Sequence, residues 1–588
     1  MHNRRLIAGG AALGLVALAV AAFALVAPRV VAGGLTALAQ QQLGRNVSFH
    51  GGARLQLLPL AVRFDDAALS GAGPDDGSFI TARSATIPVT LPQLFGARPD
   101  VSAITLDGAE VALLINERGE ASWDMSGGPP ASPVRLSLEQ ARLRYFDARN
   151  SQSMSVDHAN GLLELRADGG ASFAGSAVIN GRLVRVDADL KSLARVNADG
   201  SPLELALSAN EGTASFSGRL ATARVLSLAG PVSLSGATPG PALRLLGLPL
   251  PETANPPGPI AIEGALDSAG RAFAIRNATL AIGSLLAMGE IAVDLRNDQP
   301  RLQASLTADT FWLDAAIPAS GATGGDWGRL PLPFDLLRSI DAELSLEARN
   351  LRYADIAAGP GRIVVKLAGG KLDATLAARI DSNGTLDIGV KADATVLPPS
   401  VSLSFDAGDT PVQPLLGALT GARHITGKGD LVADLEATGA TQEELLGTLK
   451  GTARIGIAAG RIAGVDLAGL FLAARHQIIE SWQAAPGVTG FDSLNGEASV
   501  EDGIFTFREL RMEGPGLTVS AEGILDVLRQ GLTVSATAAV NGQPLLPVPV
   551  IAKGLWARPR IYPDIPDILG NPEGGFARLQ DVPALQGN

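Results

Sequence analysis

The chain has 588 residues, carries 59 acidic against 47 basic side chains for a formal net charge of −12, and contains no cysteine. Without cysteine there is no disulfide framework, no thiolate metal site and no cysteine nucleophile, and dispersed Lys and Arg argue against nucleic acid, whose phosphates demand clustered cations. Aromatic residues at 4%, charged residues at 18%, 69 Gly and 37 Pro suit many short strands joined by turns.

The first element is the uncharged stretch from Leu6 to Ala27, bounded by Arg4-Arg5 and by Pro28-Arg29. Roughly 20 apolar residues cross a hydrocarbon core, so this segment is long enough to be a membrane anchor. The paired arginines favour a cytoplasmic N-terminus. The competing reading is a cleaved signal peptide, for which Ala22-Phe23-Ala24 offers a cleavage site although the apolar run exceeds the usual length. Either reading exports the remainder. No later window has the length and apolarity of a second span, which argues against a helical transporter.

Val30 to Leu43 has apolar residues at helical spacing and is followed by Gly44, which predicts a short helix beside the membrane. From there the period becomes two. Val134–Leu138, Leu203–Leu207, Leu344–Leu346, Val401–Phe405 and Leu517–Ala521 alternate apolar and polar residues, so each predicted strand has one apolar face. Asn-Gly and Asp-Gly pairs at 107–108, 160–161, 168–169, 180–181, 383–384, 502–503 and 541–542 predict tight turns between antiparallel neighbours. Pro/Gly-rich stretches at Gly127–Pro133, Pro249–Pro259 and Pro318–Pro333 read as long loops on one sheet or as domain linkers. Near the C-terminus, Thr441-Gln442-Glu443-Glu444 predicts a capping box, and Asp466–Trp482 an amphipathic helix covering an end or face of the sheet.

The search for chemistry finds little. The five histidines are far apart and none has metal-ligand spacing. Gly421–Gly429 has the flavour of a phosphate loop but one residue too many and glycine where Ser or Thr would hold magnesium, so a glycine turn is expected. No catalytic constellation, cofactor site or metal site is expected, and an enzyme is disfavoured. What remains is apolar strand surface. Leu136, Leu138, Leu203, Leu205, Leu344, Leu346, Leu403, Phe405, Leu517 and Val519 are the candidate lining of an apolar groove, or else plain core; periodicity does not separate the two.

At both ends the chain resembles the AsmA family of bacterial envelope proteins. The N-terminal likeness is the anchor, then Leu43-Gly44-Arg45-Asn46-Val47-Ser48-Phe49, Leu58-Pro59 and Val62–Leu69. The C-terminal likeness runs through Ile425–Leu435, Gly439–Leu446, Leu449-Lys450-Gly451, Gly460–Leu467, Phe491–Gly496, Glu501–Phe507, Gly514–Gly523 and Leu555–Pro563. The resemblance implies an inner-membrane anchor, a periplasmic body related to repeating β-groove lipid-transfer proteins, and roles in outer-membrane biogenesis and lipid homeostasis. The expected fold is therefore mainly β with a few helices: an N-terminal transmembrane helix, then a long, curved, largely antiparallel β-sheet groove with short capping helices. The expected regions are a cytoplasmic tip and anchor at 1–28, an N-terminal β region at 29–130, a variable β-rich middle at 131–420 and a family-like C-terminal region at 421–588. The expected partners are phospholipid, the inner membrane and outer-membrane assembly proteins. The alternative is an assembly factor for outer-membrane proteins that carries no lipid itself.

Overall fold

The computed structural model describes residues 26, 28–37, 39–40, 45–71, 77–95, 103–124, 130, 132–245, 258–297, 299–313, 332–381, 383–420, 423–467, 469, 487–540, 543–544, 550–555 and 559–563. The expected anchor, Leu6–Ala27, lies outside them except for Val26. Among the described residues no helix is long and apolar enough to cross a membrane. The chain forms two compact units, Met1–Gly283 and Ser284–Asn588.

The first unit begins with α1 (residues 28–37). Its strands are β1 Val47–Phe49, β2 Ala53–Leu57, β3 Leu60–Ser70, β4 Ser78–Pro88, β5 Ile104–Asp107, β6 Glu110–Ile115, β7 Val134–Asp147, β8 Gln152–Leu165, β9 Ala171–Ile179, β10 Arg182–Leu190, β11 Ser201–Ala209, β12 Gly212–Ala221, β13 Ser227–Gly236, β14 Ile260–Ala269 and β15 Ala272–Ile282. Short helices α2 (Leu91–Leu94), α3 (Leu193–Val196) and α4 (Pro239–Leu245) interrupt them. From β7 to β15 each strand pairs antiparallel with the next, as expected of a meander. The departure is at the start, where β5 and β6 both lie parallel to β7.

The second unit holds β16 Leu285–Asp294, β17 Arg301–Trp312, β18 Asp341–Tyr353, β19 Ile356–Ala358, β20 Gly361–Ala368, β21 Lys371–Ile380, β22 Gly384–Asp393, β23 Ser400–Pro411, β24 Ile425–Thr438, β25 Lys450–Ala463, β26 Val488–Glu501, β27 Ile504–Gly514, β28 Leu517–Asp526, β29 Gly531–Val540, β30 Gln543–Pro544, β31 Val550–Leu555 and β32 Arg560–Pro563. Its helices are α5 (Phe334–Ser339), α6 (Val412–Thr420) and α7 (Gln442–Gly447). Here too neighbours are antiparallel, with one exception: β17 and β18 run parallel, Ala304 opposite Leu344. Pro318–Pro333 falls in the connection between these two paired strands and, apart from residues 332–333, lies outside the described residues.

Local chemistry explains several details. Thr441 caps α7 as predicted: its Oγ1 accepts from the Glu444 amide at 3.1 Å, and Glu444 reaches back to the Ala440 amide at 2.7 Å. The Asn-Gly and Asp-Gly pairs at 168–169, 180–181, 383–384 and 502–503 lie at strand connections. Asn160-Gly161 does not. It lies inside β8, after a bulge between Asp157 and Asn160, and Gly161 opposes Gly175 on β9. A Cβ on Gly175 would sit 2.2 Å from the Asn160 carbonyl oxygen, and one on Gly161 would sit 2.4 Å from that of Ala174. Glycine is needed here for close approach of backbones, not for a turn. Gly175→Ala is expected to cost about 1–3 kcal/mol, read by denaturant unfolding of the full chain, because main chain cannot move aside as a side chain can. The glycine turn expected at Gly421–Gly429 is likewise corrected. Residues from Ile425 onward belong to β24, and Gly427 occupies a bulge between Thr426 and Lys428. A strand-interior glycine marks such a bulge. The helix expected at Asp466–Trp482 lies outside the described residues except for Asp466, Leu467 and Gly469.

One buried ion pair stitches unit 1 across sequence. Asp147 is fully buried and accepts from Arg149 Nε at 2.9 Å and Nη2 at 2.8 Å, while Arg149 also donates to the carbonyls of Thr222 and Ala223 at 2.6 and 2.7 Å. The Arg149 hydrogen bonds hold the Asp147 carboxyl below its ordinary range, against the opposing effect of burial. A carboxyl that is more acidic folded than unfolded stabilises the fold above the unfolded value of about 3.9, and that contribution disappears as pH falls through the lower folded value. Asp147→Asn is therefore expected to lower stability at pH 7 and to flatten the loss of stability below about pH 4, measured by thermal unfolding across pH.

Candidate functional site

The candidate site is one face of each sheet, built by register. In unit 1, Leu136, Leu163, Phe173, Ala188, Leu205, Phe216 and Val232 face one another in sequence from β7 to β13. A second row runs Val134, Leu165, Ala171, Leu190, Leu203, and a third starts at Leu138 and passes Gly161, Gly175, Val186 and Leu207. Period-two alternation makes these rows apolar because the position each strand contributes to them is Leu, Val, Phe, Ala or Gly. The alternate positions form the polar face. There Thr213 pairs with Ser235 and Ser215 with Ser233 through hydroxyl hydrogen bonds of 2.9 and 2.7 Å.

Unit 2 repeats the arrangement. Ala304, Leu344, Val365, Ala374, Val390 and Leu403 form one row over β17, β18 and β20–β23, continuing to Leu435. Leu306, Leu346, Ile363, Leu376, Ile388 and Phe405 form the next. The opposite face carries cross-strand ion pairs such as Arg362–Glu347 at 3.1 Å and Lys371–Asp393 at 3.1 Å.

Burial separates the ten candidate residues into two kinds. Leu203, Leu205, Leu344, Leu346, Leu403 and Phe405 are half-buried: row neighbours cover their flanks and solvent still reaches them. Every member of the two unit 2 rows from β17 to β23 shares this state. Leu136, Leu138, Leu517 and Val519 are buried. Leu517 and Val519 belong to a core with Ile457, Leu494 and Met512, onto which α6 lays Val412 and Leu415. Register thus groups Leu344 with Leu403 and Leu346 with Phe405; Leu517 and Val519 are closed core, against which Leu376, Ile388 and Phe405 of the second row pack from its edge.

Strands lie about 4.8 Å apart, so a row over six strands runs about 24 Å and one over seven about 29 Å. Half of a 30 Å hydrocarbon core, the depth of one leaflet's acyl chains, is about 15 Å. Each row is longer than the apolar part of one lipid.

The rows of unit 1 start at a cavity of about 200 Å³. Its wall is apolar apart from Arg45: Leu35 of α1 and Ala39 on one side, Phe49, Ala82, Ala85 and Leu106 from the first strands, and Val134, Leu136 and Leu165 where the rows start. An apolar cavity of about 150 Å³ already binds benzene, so this one has room for several methylenes. Sequence reasoning missed it. Its only signal is the small side chains of Ala82 and Ala85 on β4, which leave space under α1. Arg45 was also missed as a structural element. It is 4% exposed and donates to the carbonyls of Ser122, Asp124 and Ser70 at 2.5, 3.0 and 3.4 Å, with its guanidinium 4.7 Å over the Phe79 ring.

Among the described residues no group of three or more His, Asp or Glu side chains is placed to hold a metal ion. His158 and His424 are exposed and belong to different units.

The AsmA family model matches residues 294–510, a little over a third of the chain and wholly within unit 2. The matched span holds Leu344, Leu346, Leu403 and Phe405, together with the quoted segments from Ile425 to Phe507. No curated protein and no solved structure matches the chain. Over residues 294–510 the chain is similar to the AsmA family, a likeness that suggests an envelope-related role.

Proposed function

We propose that this protein is a non-enzymatic, inner-membrane-tethered envelope protein that binds phospholipid acyl chains along its apolar rows and conducts them through the periplasm toward outer-membrane biogenesis. The observation that carries this reading is the pair of half-buried rows in unit 2, Ala304 to Leu403 and Leu306 to Phe405, in which a strand face remains apolar and accessible over six strands. A sheet face serving only as core would be covered by a second layer and buried. Each methylene moved from water onto such a surface contributes about 0.8 kcal/mol, so a chain of ordinary length binds without any specific polar contact, and its sliding from strand to strand exchanges like for like. The apolar cavity under α1 adjoins the start of the rows of unit 1, and the polar opposite face keeps the exterior wetted.

Mass spectrometry of lipids extracted from the purified full chain, with a vesicle-to-vesicle transfer assay, tests the reading. Phospholipid in stoichiometric amount and accelerated transfer are expected. A chain that never retains lipid and transfers none leaves the rows as ordinary core.

A further inference from the structure

One end of unit 1 displays large apolar side chains that the fold leaves uncovered. Leu58 is 91% exposed, Phe95 75%, Leu57 67% and Leu91 63%. All four belong to one end of the sheet. Leu57 and Leu58 form the tip of the β2–β3 hairpin, Leu57 pairing with Leu60. The Val89 amide donates to the Leu60 carbonyl at 3.1 Å, which brings the exit of β4, and hence Leu91 on α2 and Phe95 after it, beside that tip. Exposed single leucines occur elsewhere, Leu397 among them, and scattered ones need no explanation. Four together do.

The chain before Val26 indicates what covers them. The Arg45 amide donates to the Ala39 carbonyl and the Arg45 side chain reaches Ser70 at the far end of β3, so the C-terminal end of the helical stretch lies there. Val31, near its start, packs in a cluster with Val62, Ile87, Val89 and Leu94. α1 thus points its N-terminal end toward the hairpin tip. Val26, itself 55% exposed, lies on that side and is the last residue but one of the apolar stretch Leu6–Ala27, which is of spanning length.

We infer that Leu57, Leu58, Leu91 and Phe95 seat this end of the sheet in the surface of a phospholipid bilayer, the same bilayer that the Leu6–Ala27 segment crosses; the inference rests on the tethered reading above. Apolar tips placed at the boundary between headgroups and acyl chains hold the structure against the leaflet, where the helix-covered start of the rows has direct access to lipid.

The absence of cysteine makes the test clean, since one introduced thiol labels one position. Full-length Leu58→Cys, Phe95→Cys and Leu397→Cys variants, each labelled with an environment-sensitive nitrobenzoxadiazole dye, are reconstituted in phosphatidylethanolamine/phosphatidylglycerol liposomes. Labels at 58 and 95 are expected to emit at least about threefold more strongly than the label at 397, and to be quenched by acyl-brominated lipid while the label at 397 is not. Protein that floats with the liposomes but gives equal, water-like emission at all three positions overturns the seat and leaves the tether standing. Protein that does not float overturns both.

Discussion

Leu403→Asp is expected to slow phospholipid transfer between vesicles at least about tenfold, equivalent to about 1.4 kcal/mol on the path, while leaving the fold intact. Leu403 is the last half-buried member of its row, with Val390 on one side and the buried Leu435 on the other, and solvent reaches it. In the lipid-free protein a carboxylate here keeps part of its hydration, so the folding cost is small beside that of a fully buried charge. When an acyl chain passes over it, that hydration must be stripped without any partner to replace it, which costs a carboxylate more than the ~1–3 kcal/mol that a neutral amide or hydroxyl loses. Leu344→Asp, in the same row four pairings from Leu403 by way of Val390, Ala374 and Val365, is expected to act alike. Thr375→Asp is the control, since Thr375 is exposed and its neighbours Ala374 and Leu376 are the ones in the rows. Equal transfer by Leu403→Asp and Thr375→Asp would sink the conduit. Parallel loss of folded protein and transfer in Leu403→Asp would reassign Leu403 to core.

Why the rows were legible is a matter of period. A strand with apolar residues at every second position commits one face, and antiparallel pairing keeps that face common to all its neighbours, so Leu344, Leu346, Leu403 and Phe405 were identifiable without knowing the pairing. Their depth was not. Leu517 and Leu403 read alike in sequence, yet Leu517 is buried in a cluster with Ile457, Leu494 and Met512 while Leu403 is half-buried. The parallel pairing of β17 with β18 was illegible for a similar reason. Nothing local in Arg301–Trp312 or Asp341–Tyr353 says that the long connection between them brings the strands side by side in the same direction. Glycine misled in the other direction: Asn160-Gly161 has turn chemistry, yet its neighbour in space, Gly175, requires a strand with backbones pressed together. The cavity under α1 escaped because it is made of absences, the missing side-chain volume of Ala82 and Ala85, which becomes a feature only when a helix spans it.

Arg45→Ala is expected to destabilise unit 1 by about 3 kcal/mol or more, the largest effect on stability anticipated from a single polar substitution here. The guanidinium has five donors in a rigid fork, and in this protein they serve the carbonyls of Ser122 and Asp124, with a longer contact to Ser70. Those carbonyls come from segments far apart in sequence, so one side chain ties the end of β3 to the turn after β6. Truncation leaves them facing the wall of an apolar cavity, where water has few partners and each unsatisfied carbonyl costs about 1–3 kcal/mol. It also removes the cation from over Phe79, a smaller loss of about 0.5–2 kcal/mol. Arg45→Lys retains the charge but offers a single ammonium in place of the fork, and is expected to recover less than half of the lost stability. Denaturant unfolding of the full chain, followed for the two variants beside the parent, measures both. If Arg45→Lys matches the parent, charge alone suffices at this position and the fork geometry is incidental. If Arg45→Ala matches it, water in the cavity satisfies those carbonyls, and a site that admits water so readily is a poor holder of an acyl chain. Stability at Arg45 and lipid at the start of the rows are in this way tied to one property, the dryness of the space beneath α1.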